Sequence, residues 1–308
     1  MTATASEIAE RLGLRRAPGG VWRGACPSCA YGTTFVLRES EGRPLWWCAS
    51  CSDKSAVTSA VLAAMGPGWA PPRPADPRPV DRDSSPAKRT ALARRLWEQT
   101  VSIFGTPAEA YLRARGVWGA WRAHPAPEYG DQLGFHPTAP HPAGAARFPC
   151  LVALVRRASD GEPVAIHRTY LQADGSGKAL TTPQKATLAA VAGGVVMLHG
   201  SAATAAPLVL GEGIETCLAA SALVGGPAWA ALSAGNLATL PLPALPAAAD
   251  IVVAADHDGP GEAAASAASA RWRAEGRRVR VAKPNAAGRD FADILLARLR
   301  AGETPHGG

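Results

Sequence analysis

Missing from these 308 residues is any apolar run long enough to span a bilayer, for which a helix needs about 20 apolar residues in succession. Also missing is an internal repeat, and with it the solenoid and propeller architectures. No G-x-x-x-x-G-K-[ST] stretch occurs, so the P-loop phosphate cradle is excluded. The opening MTATASEIAERLGL is not a secretory leader. It reads instead as a short helix, with Thr4 and Glu7 at capping-box spacing. The expected compartment is the cytoplasm, with no membrane partner. In a reducing compartment the six cysteines are metal ligands or free thiols rather than disulfides.

Acidic side chains are in short supply, but unevenly. The formal net charge is +7; residues 1–118 hold 16 Lys and Arg against 10 Asp and Glu, residues 119–206 hold 7 against 5, and residues 207–308 hold 9 against 10. The cationic excess sits in the first part of the chain, which suits a polyanionic partner. A mild basic balance also serves solubility alone.

Patterning divides what is present into segments. Residues 1–65 hold four of the cysteines, and GPGWAPPRPADPRPVDRDSSPAK, residues 66–88, reads as an extended linker rich in Pro and charge. Residues 89–206 begin with the helical segment TALARRLWEQTVSIFG, for which Leu92, Leu96, Val101 and Ile103 supply an apolar face. A second helix, AEAYLRARG, ends at Gly116. FPCLVALVRRASDGEPVAIHRTYL then alternates as a hairpin turning at Ser159-Asp160-Gly161, followed by the loop ADGSGKALTTPQK and the strand GGVVMLHG. Over 207–285 the pattern is strand LVLGEG, helix IETCLAASALV, strand AWAALSA, a short turn, strand DIVVAAD, helix GEAAASAASARWRAEG and strand RRVRVA. That alternation predicts an α/β fold with a parallel sheet covered by helices. Residues 286–308 remain as a C-terminal tail.

In CPSCAYGTTFVLRESEGRPLWWCASC, Cys26, Cys29, Cys48 and Cys51 form C-x2-C-x18-C-x2-C. Two tight thiolate pairs joined by a hairpin make the closed, structural four-sulfur site that Zn²⁺ favours. Trp46 and Trp47 beside Cys48 are read as hairpin packing ahead of base-stacking platforms. Cys150 and Cys217 have no partner at metal spacing and are read as buried small hydrophobes.

Two acidic clusters fall at the carboxyl ends of predicted parallel strands, where open α/β sheets bind ligands. The first holds Glu212 and Glu215, the second Asp256 and Asp258. Residues two apart on an extended segment share a side, so Asp256 and Asp258 aim at one spot with His257 facing away. Like charges that close want a cation, and carboxylate oxygens suit Mg²⁺. By itself a D-x-D is equally a solvated turn.

LVLGEGIET followed some forty residues later by VVAADHDGPG resembles the Toprim domain of DNA primases, topoisomerases and recombination proteins. On that resemblance Glu212 takes the place of the family's invariant glutamate, Asp256 and Asp258 those of its D-x-D metal ligands, and NAAGRDFADIL is similar to its late acidic segment, which adds Asp290. Thr216 stands where bacterial primases commonly have Asp, with Glu215 adjacent. GEPVAIHRTYLQADGSGKALTTPQK is similar to the primase core segment, which places Arg168, Lys178 and Lys185 near nucleotide or template phosphates; they are otherwise solvated loop cations. The order of modules resembles that of a bacterial, phage or plasmid primase: an N-terminal zinc ribbon, a small mixed α+β subdomain and a Toprim-type sheet.

The resemblance implies a DNA-directed primase that makes short primers from NTPs on single-stranded DNA, with Zn²⁺ in the ribbon, Mg²⁺ or Mn²⁺ at Asp256, Asp258 and Asp290, and Glu212 as a further ligand or the proton acceptor. It implies a separate replicative helicase as partner. Two alternatives stay open, a non-catalytic recombination-mediator-like binding module and a Toprim nuclease. Covalent strand cleavage wants a placed tyrosine, and none of the four tyrosines stands in a recognisable setting.

Overall fold

The Thr4 hydroxyl accepts from the Glu7 amide at 3.3 Å, and the Glu7 carboxylate accepts from the Thr4 amide at 2.6 Å. This capping box starts helix α1 (Ala5–Arg11) as its spacing predicts. The computed structural model describes residues 4–17, 20–40, 43–51, 54–66, 69, 85–123, 131–199, 206–257, 259–285 and 289–303. It divides into two units, Met1–Arg82 and Asp83–Gly308. Among the described residues no helix is long and apolar enough to cross a membrane.

In the first unit, α1 precedes an antiparallel sheet of β1 (Arg15–Ala17), β2 (Val21–Gly24), β3 (Phe35–Ser40) and β4 (Arg43–Cys48), in that order, and α2 (Lys54–Met65) follows. One sheet face packs: Phe35 and Leu37 join Ile8 of α1 and Val57 and Val61 of α2 in a small core. Trp46, opposite Leu37, lies against this core and against Trp69. Alternation turns Trp47 the other way, where it is 42% exposed beneath the Arg38 guanidinium. The two adjacent tryptophans therefore differ, one packing the hairpin and one facing solvent.

The second unit opens with α3 (Pro86–Glu98), α4 (Pro107–Ala114) and α5 (Trp118–Ala123), and continues as β5 (Leu133–Pro140), β6 (Arg147–Arg157), β7 (Pro163–Tyr170), β8 (Lys185–Leu188) and β9 (Gly194–His199). Then come β10 (Leu208–Gly211), α6 (Ile214–Val224), β11 (Ala228–Ala230), α7 (Ala234–Thr239), β12 (Asp250–Ala254), α8 (Gly259–Ala274), β13 (Arg278–Ala282) and α9 (Phe291–Arg300). The strands make one nine-stranded sheet in the order β13-β12-β10-β11-β9-β6-β7-β8, with β5 on β6. The first four are parallel. β10, β11 and β12 are buried on both faces, which is why their sequences are almost continuously apolar: Val209 and Val252 face one core, while Leu208, Leu210, Ile251 and Val253 face another; the edge strand β13 keeps Arg278 and Arg280 exposed.

The parallel sheet expected over 207–285 is present in β10 to β13 and forms one end of a larger sheet. β9 runs antiparallel to β11 and joins β6 at Arg156 and Arg157, so the antiparallel subdomain and the parallel part share one mixed sheet. The helix expected through Gly105 ends at Glu98. Ala93 and Leu96 form its buried stripe, whereas Leu92 and Val101 are more than half exposed, and Val101 bridges Phe135 instead. The turn expected after β11 contains the short α7, N-capped by the Ser233 hydroxyl; Gly235 and Asn236 hid it, both being poor helix formers. Within the expected tail, α9 is a helix packed against α6. Cys150 and Cys217 are fully buried.

Candidate active site

Gly211 closes β10 opposite Ala254 of β12. A side chain at Gly211 would put its Cβ 2.8 Å from the Ala254 carbonyl oxygen and 3.0 Å from Cys217 Sγ, so glycine is what lets β10, β12 and α6 approach. Glu212 follows immediately, and Asp256 lies two residues past the end of β12. Both are half-buried. The two carboxylates thus stand at the carboxyl ends of adjacent parallel strands, as expected. Thr216, in the first turn of α6, donates its hydroxyl to Asp256 Oδ1 at 3.4 Å. Asp258 lies outside the described residues.

Glu215, one residue before Thr216, is the buried centre of a charge cluster. Its side chain is 7% exposed, with Lys178 Nζ at 3.7 Å from Oε1 and Lys185 Nζ at 3.6 Å from Oε2. The Tyr111 hydroxyl of α4 donates a short hydrogen bond to Oε1. Burial alone pushes Glu215 up, but Lys185, Lys178 and the Tyr111 hydroxyl outweigh it and hold the carboxyl well below the usual range. Lys185 is raised above its ordinary value, chiefly by Glu215. Lys178 is lowered, because its burial and the neighbouring Lys185 outweigh the same carboxylate.

His167 and Thr169 of β7 pair with Thr187 and Lys185 of β8 and share the face that meets this cluster. His167 is buried, its Nδ1 has no hydrogen-bond partner among the described residues, and burial followed by Lys185 pushes it down to about 3. Arg168 points to the opposite face of β7. There it is 5% exposed, donates to the Pro140 carbonyl at 2.8 Å and lies over the Tyr170 ring. Of the three cations singled out in the sequence, Lys178 and Lys185 converge on Glu215 and Arg168 does not.

Asp290 caps α9, accepting from the Asp293 amide at 2.8 Å through Oδ1. Its Oδ2 accepts from Arg115 at the end of α4, and Arg115 also lies 3.8 Å from Asp293. Among the described residues the four cysteines form the one group of three or more ligating side chains close enough to share an ion.

Those four Sγ atoms lie within 4.8 Å of one another, with Cys26–Cys51 at 3.7 Å and Cys29–Cys48 at 3.8 Å. A tetrahedron with metal–sulfur bonds of about 2.3 Å has edges of about 3.8 Å. The spacing therefore fits Zn²⁺. Burial opposes ionisation of Cys48, yet the Thr34 hydroxyl and the Ser50 amide bring it down to about 7, while burial and the other cysteines push Cys51 up. Crowded thiols compete for negative charge, and a divalent cation removes that competition.

Residues 207–301 match the Toprim domain family. The C-terminal part of the chain is a Toprim domain. Residues 87–198 match a domain of unknown function (DUF7146), which covers α3 to β9. No curated protein matches the chain. Solved structures similar to it include a DNA primase domain from Pseudomonas aeruginosa, 16% identical over 70% of this chain and 78% of that one, with a TM-score of 0.44. The E. coli primase catalytic core is 15% identical over 68% and 75%, with a TM-score of 0.40. The primase fragment of the bacteriophage T7 primase-helicase protein is 13% identical over 90% and 95%, also at 0.40.

The Toprim domain's first helix turn thus has two outputs, Thr216 toward Asp256 and Glu215 toward the lysines. Sequence reasoning left Glu215 without a role and passed over Tyr111, Arg115 and His167. One signal was available: Tyr111 and Arg115 stand four apart on α4 and so share a helix face.

Proposed function

We propose that the chain is a primase-like nucleotidyltransferase that joins nucleotides on a single-stranded DNA template. The observation that carries this is the placement of Glu212 and Asp256 at the ends of adjacent Toprim strands, with Lys178 and Lys185 gathered by the same turn of α6. An anionic, oxygen-only donor set suits Mg²⁺ or Mn²⁺. Glu212 and Asp256 would hold the ion together with Asp258; Asp290 would join them only on release from Arg115. When bound, the ion lends positive charge to the phosphoryl oxygens and acidifies the attacking hydroxyl. Lys178 and Lys185 neutralise the triphosphate of the incoming nucleotide. Arg168, held by the Pro140 carbonyl, supports the sheet instead.

On this reading the four-cysteine module is a zinc ribbon. Its exposed Trp47 and Arg38 offer the template a stacking face and charge. On the same reading, unwinding falls to a helicase partner, in the cytoplasm and in phage- or plasmid-type replication. A second reading, a non-catalytic DNA-binding module, is favoured by one observation: Thr216 contributes a hydroxyl where another carboxylate would help hold a cation. Primer synthesis on single-stranded DNA with all four NTPs and Mg²⁺ separates the two. Short products are expected. Absence of product with any nucleotide or metal, from a protein that still binds the DNA, establishes the binding module.

A further inference from the structure

We infer that Glu215 is a positioning residue that holds Lys178 and Lys185 together as the anchor for one polyphosphate, and not a metal ligand. This rests on the reading of the site as one that handles nucleoside triphosphates. A cation approaching Glu215 would meet two ammonium groups within 4 Å of the same carboxylate. It would also meet the amino end of α6, whose partial positive charge favours anions. Oε1 already accepts from Tyr111 and faces Lys178, and Oε2 faces Lys185.

The charge count points the same way. Two lysines on Glu215 leave one positive charge among these three groups; Glu212 also acts on Lys185, and Arg115 is engaged by Asp290 and Asp293. Each ammonium has three donors. Separations of 3.6 and 3.7 Å exceed the roughly 2.7–2.9 Å of a close charge-assisted bond, so donor capacity remains for a ligand. Lys178 and Lys185 are 29% and 37% exposed against 7% for Glu215. The lysines are thus reachable from solvent while their anchor is not. Lys178 comes from the loop after β7 and Lys185 from the start of β8; Glu215 is what brings these two long, flexible side chains to one point.

The test uses the full chain and two equilibrium titrations that need no turnover, inorganic tripolyphosphate without divalent metal, and Mg²⁺ alone. Glu215→Gln is expected to weaken tripolyphosphate on the order of tenfold, the scale of one charge-assisted contact, with Mg²⁺ affinity within about twofold. In a Lys178→Met/Lys185→Met background the same substitution is expected to change tripolyphosphate binding less than about twofold, because its effect runs through the lysines. Glu215→Asp keeps the charge but retracts it by one methylene; it is expected to weaken tripolyphosphate several-fold, and it serves where the Gln variant does not fold. A (dT)12 titration separates the two sources of phosphate, and its affinity is expected to stay unchanged. The inference is overturned if Mg²⁺ affinity falls about tenfold, if tripolyphosphate binding is unaltered in folded Glu215 variants, if the loss persists without the lysines, or if only (dT)12 binding is lost. Since primer synthesis is not measured, these outcomes stand apart from success or failure of the primase reading.

Discussion

Tyr111 donates its hydroxyl to Glu215 across 104 residues of sequence, tying α4 to the first turn of α6. One turn further along α4, Arg115 ties the same helix to the start of α9 through Asp290. A helix outside the Toprim domain therefore grips two helices within it. Tyr111→Phe removes a buried hydrogen bond to a charged group, expected to cost about 1.5–3 kcal/mol. Arg115→Met breaks a pair about one-third exposed on both sides and is expected to cost less, about 1 kcal/mol or under. Urea unfolding measures both; a Phe variant as stable as wild type would show that Tyr111 only fills space.

The same cluster sets the response to acid. His167 is pushed down to about 3, by burial first and Lys185 second, from an ordinary value of about 6.5. A depressed folded value contributes stability that is present above about pH 6.5 and is lost as the pH falls toward 3. Glu215, also depressed, adds a further loss that begins below its ordinary value of about 4.3. Wild-type stability is expected to fall below pH 6.5 by up to about 1.4 kcal/mol per pH unit, the slope for one proton. His167→Gln should remove that upper limb and leave the lower one. Identical urea midpoints for wild type and variant from pH 7 down to 4 would rule this out.

Much of this was legible in the sequence, for reasons that differ by residue. The parallel strands showed because Leu208, Val209 and Leu210 are buried on both faces and must all be apolar. The cysteines showed because two C-x2-C pairs are a spacing that metal ligation calls for and packing does not. Glu212 and Asp256 showed as polar residues ending apolar runs. The tie between β9 and β11 did not, because strand direction depends on partners far along the chain. Glu215 was obscured by its partners, Tyr111 lying 104 residues before it, a pairing that no local pattern encodes.

The four-cysteine geometry predicts about one Zn²⁺ per chain in freshly purified protein. Cys29→Ser opens the tetrahedron and is expected to lose the metal and unfold residues 1–65, since the small core around Ile8, Phe35 and Leu37 supplies little stability of its own. The Toprim domain belongs to the other unit and should remain folded. Metal analysis and limited proteolysis check this together. A zinc-free protein with an intact first unit would contradict it.

The final prediction separates enzyme from binder. Asp256→Asn removes one formal charge at nearly constant shape, and its amide oxygen still accepts from Thr216, so the fold should hold. If nucleotidyl transfer uses a cation held there, primer synthesis should fall on the order of a hundredfold or more, the scale for losing one preorganised electrostatic contact. Affinity for single-stranded DNA should be unchanged or rise slightly as negative charge disappears. Asp258→Asn should behave alike. Glu212→Gln should weaken Mg²⁺ binding if Glu212 is a ligand; if it accepts the proton of the attacking hydroxyl, Mg²⁺ affinity should survive while turnover is lost. Primer synthesis, Mg²⁺ titration and DNA fluorescence anisotropy on each variant supply the comparison. Wild-type and variant proteins that bind DNA equally, while the wild type makes no primer with any nucleotide or metal, would leave these carboxylates without a catalytic role and make the chain a DNA-binding module.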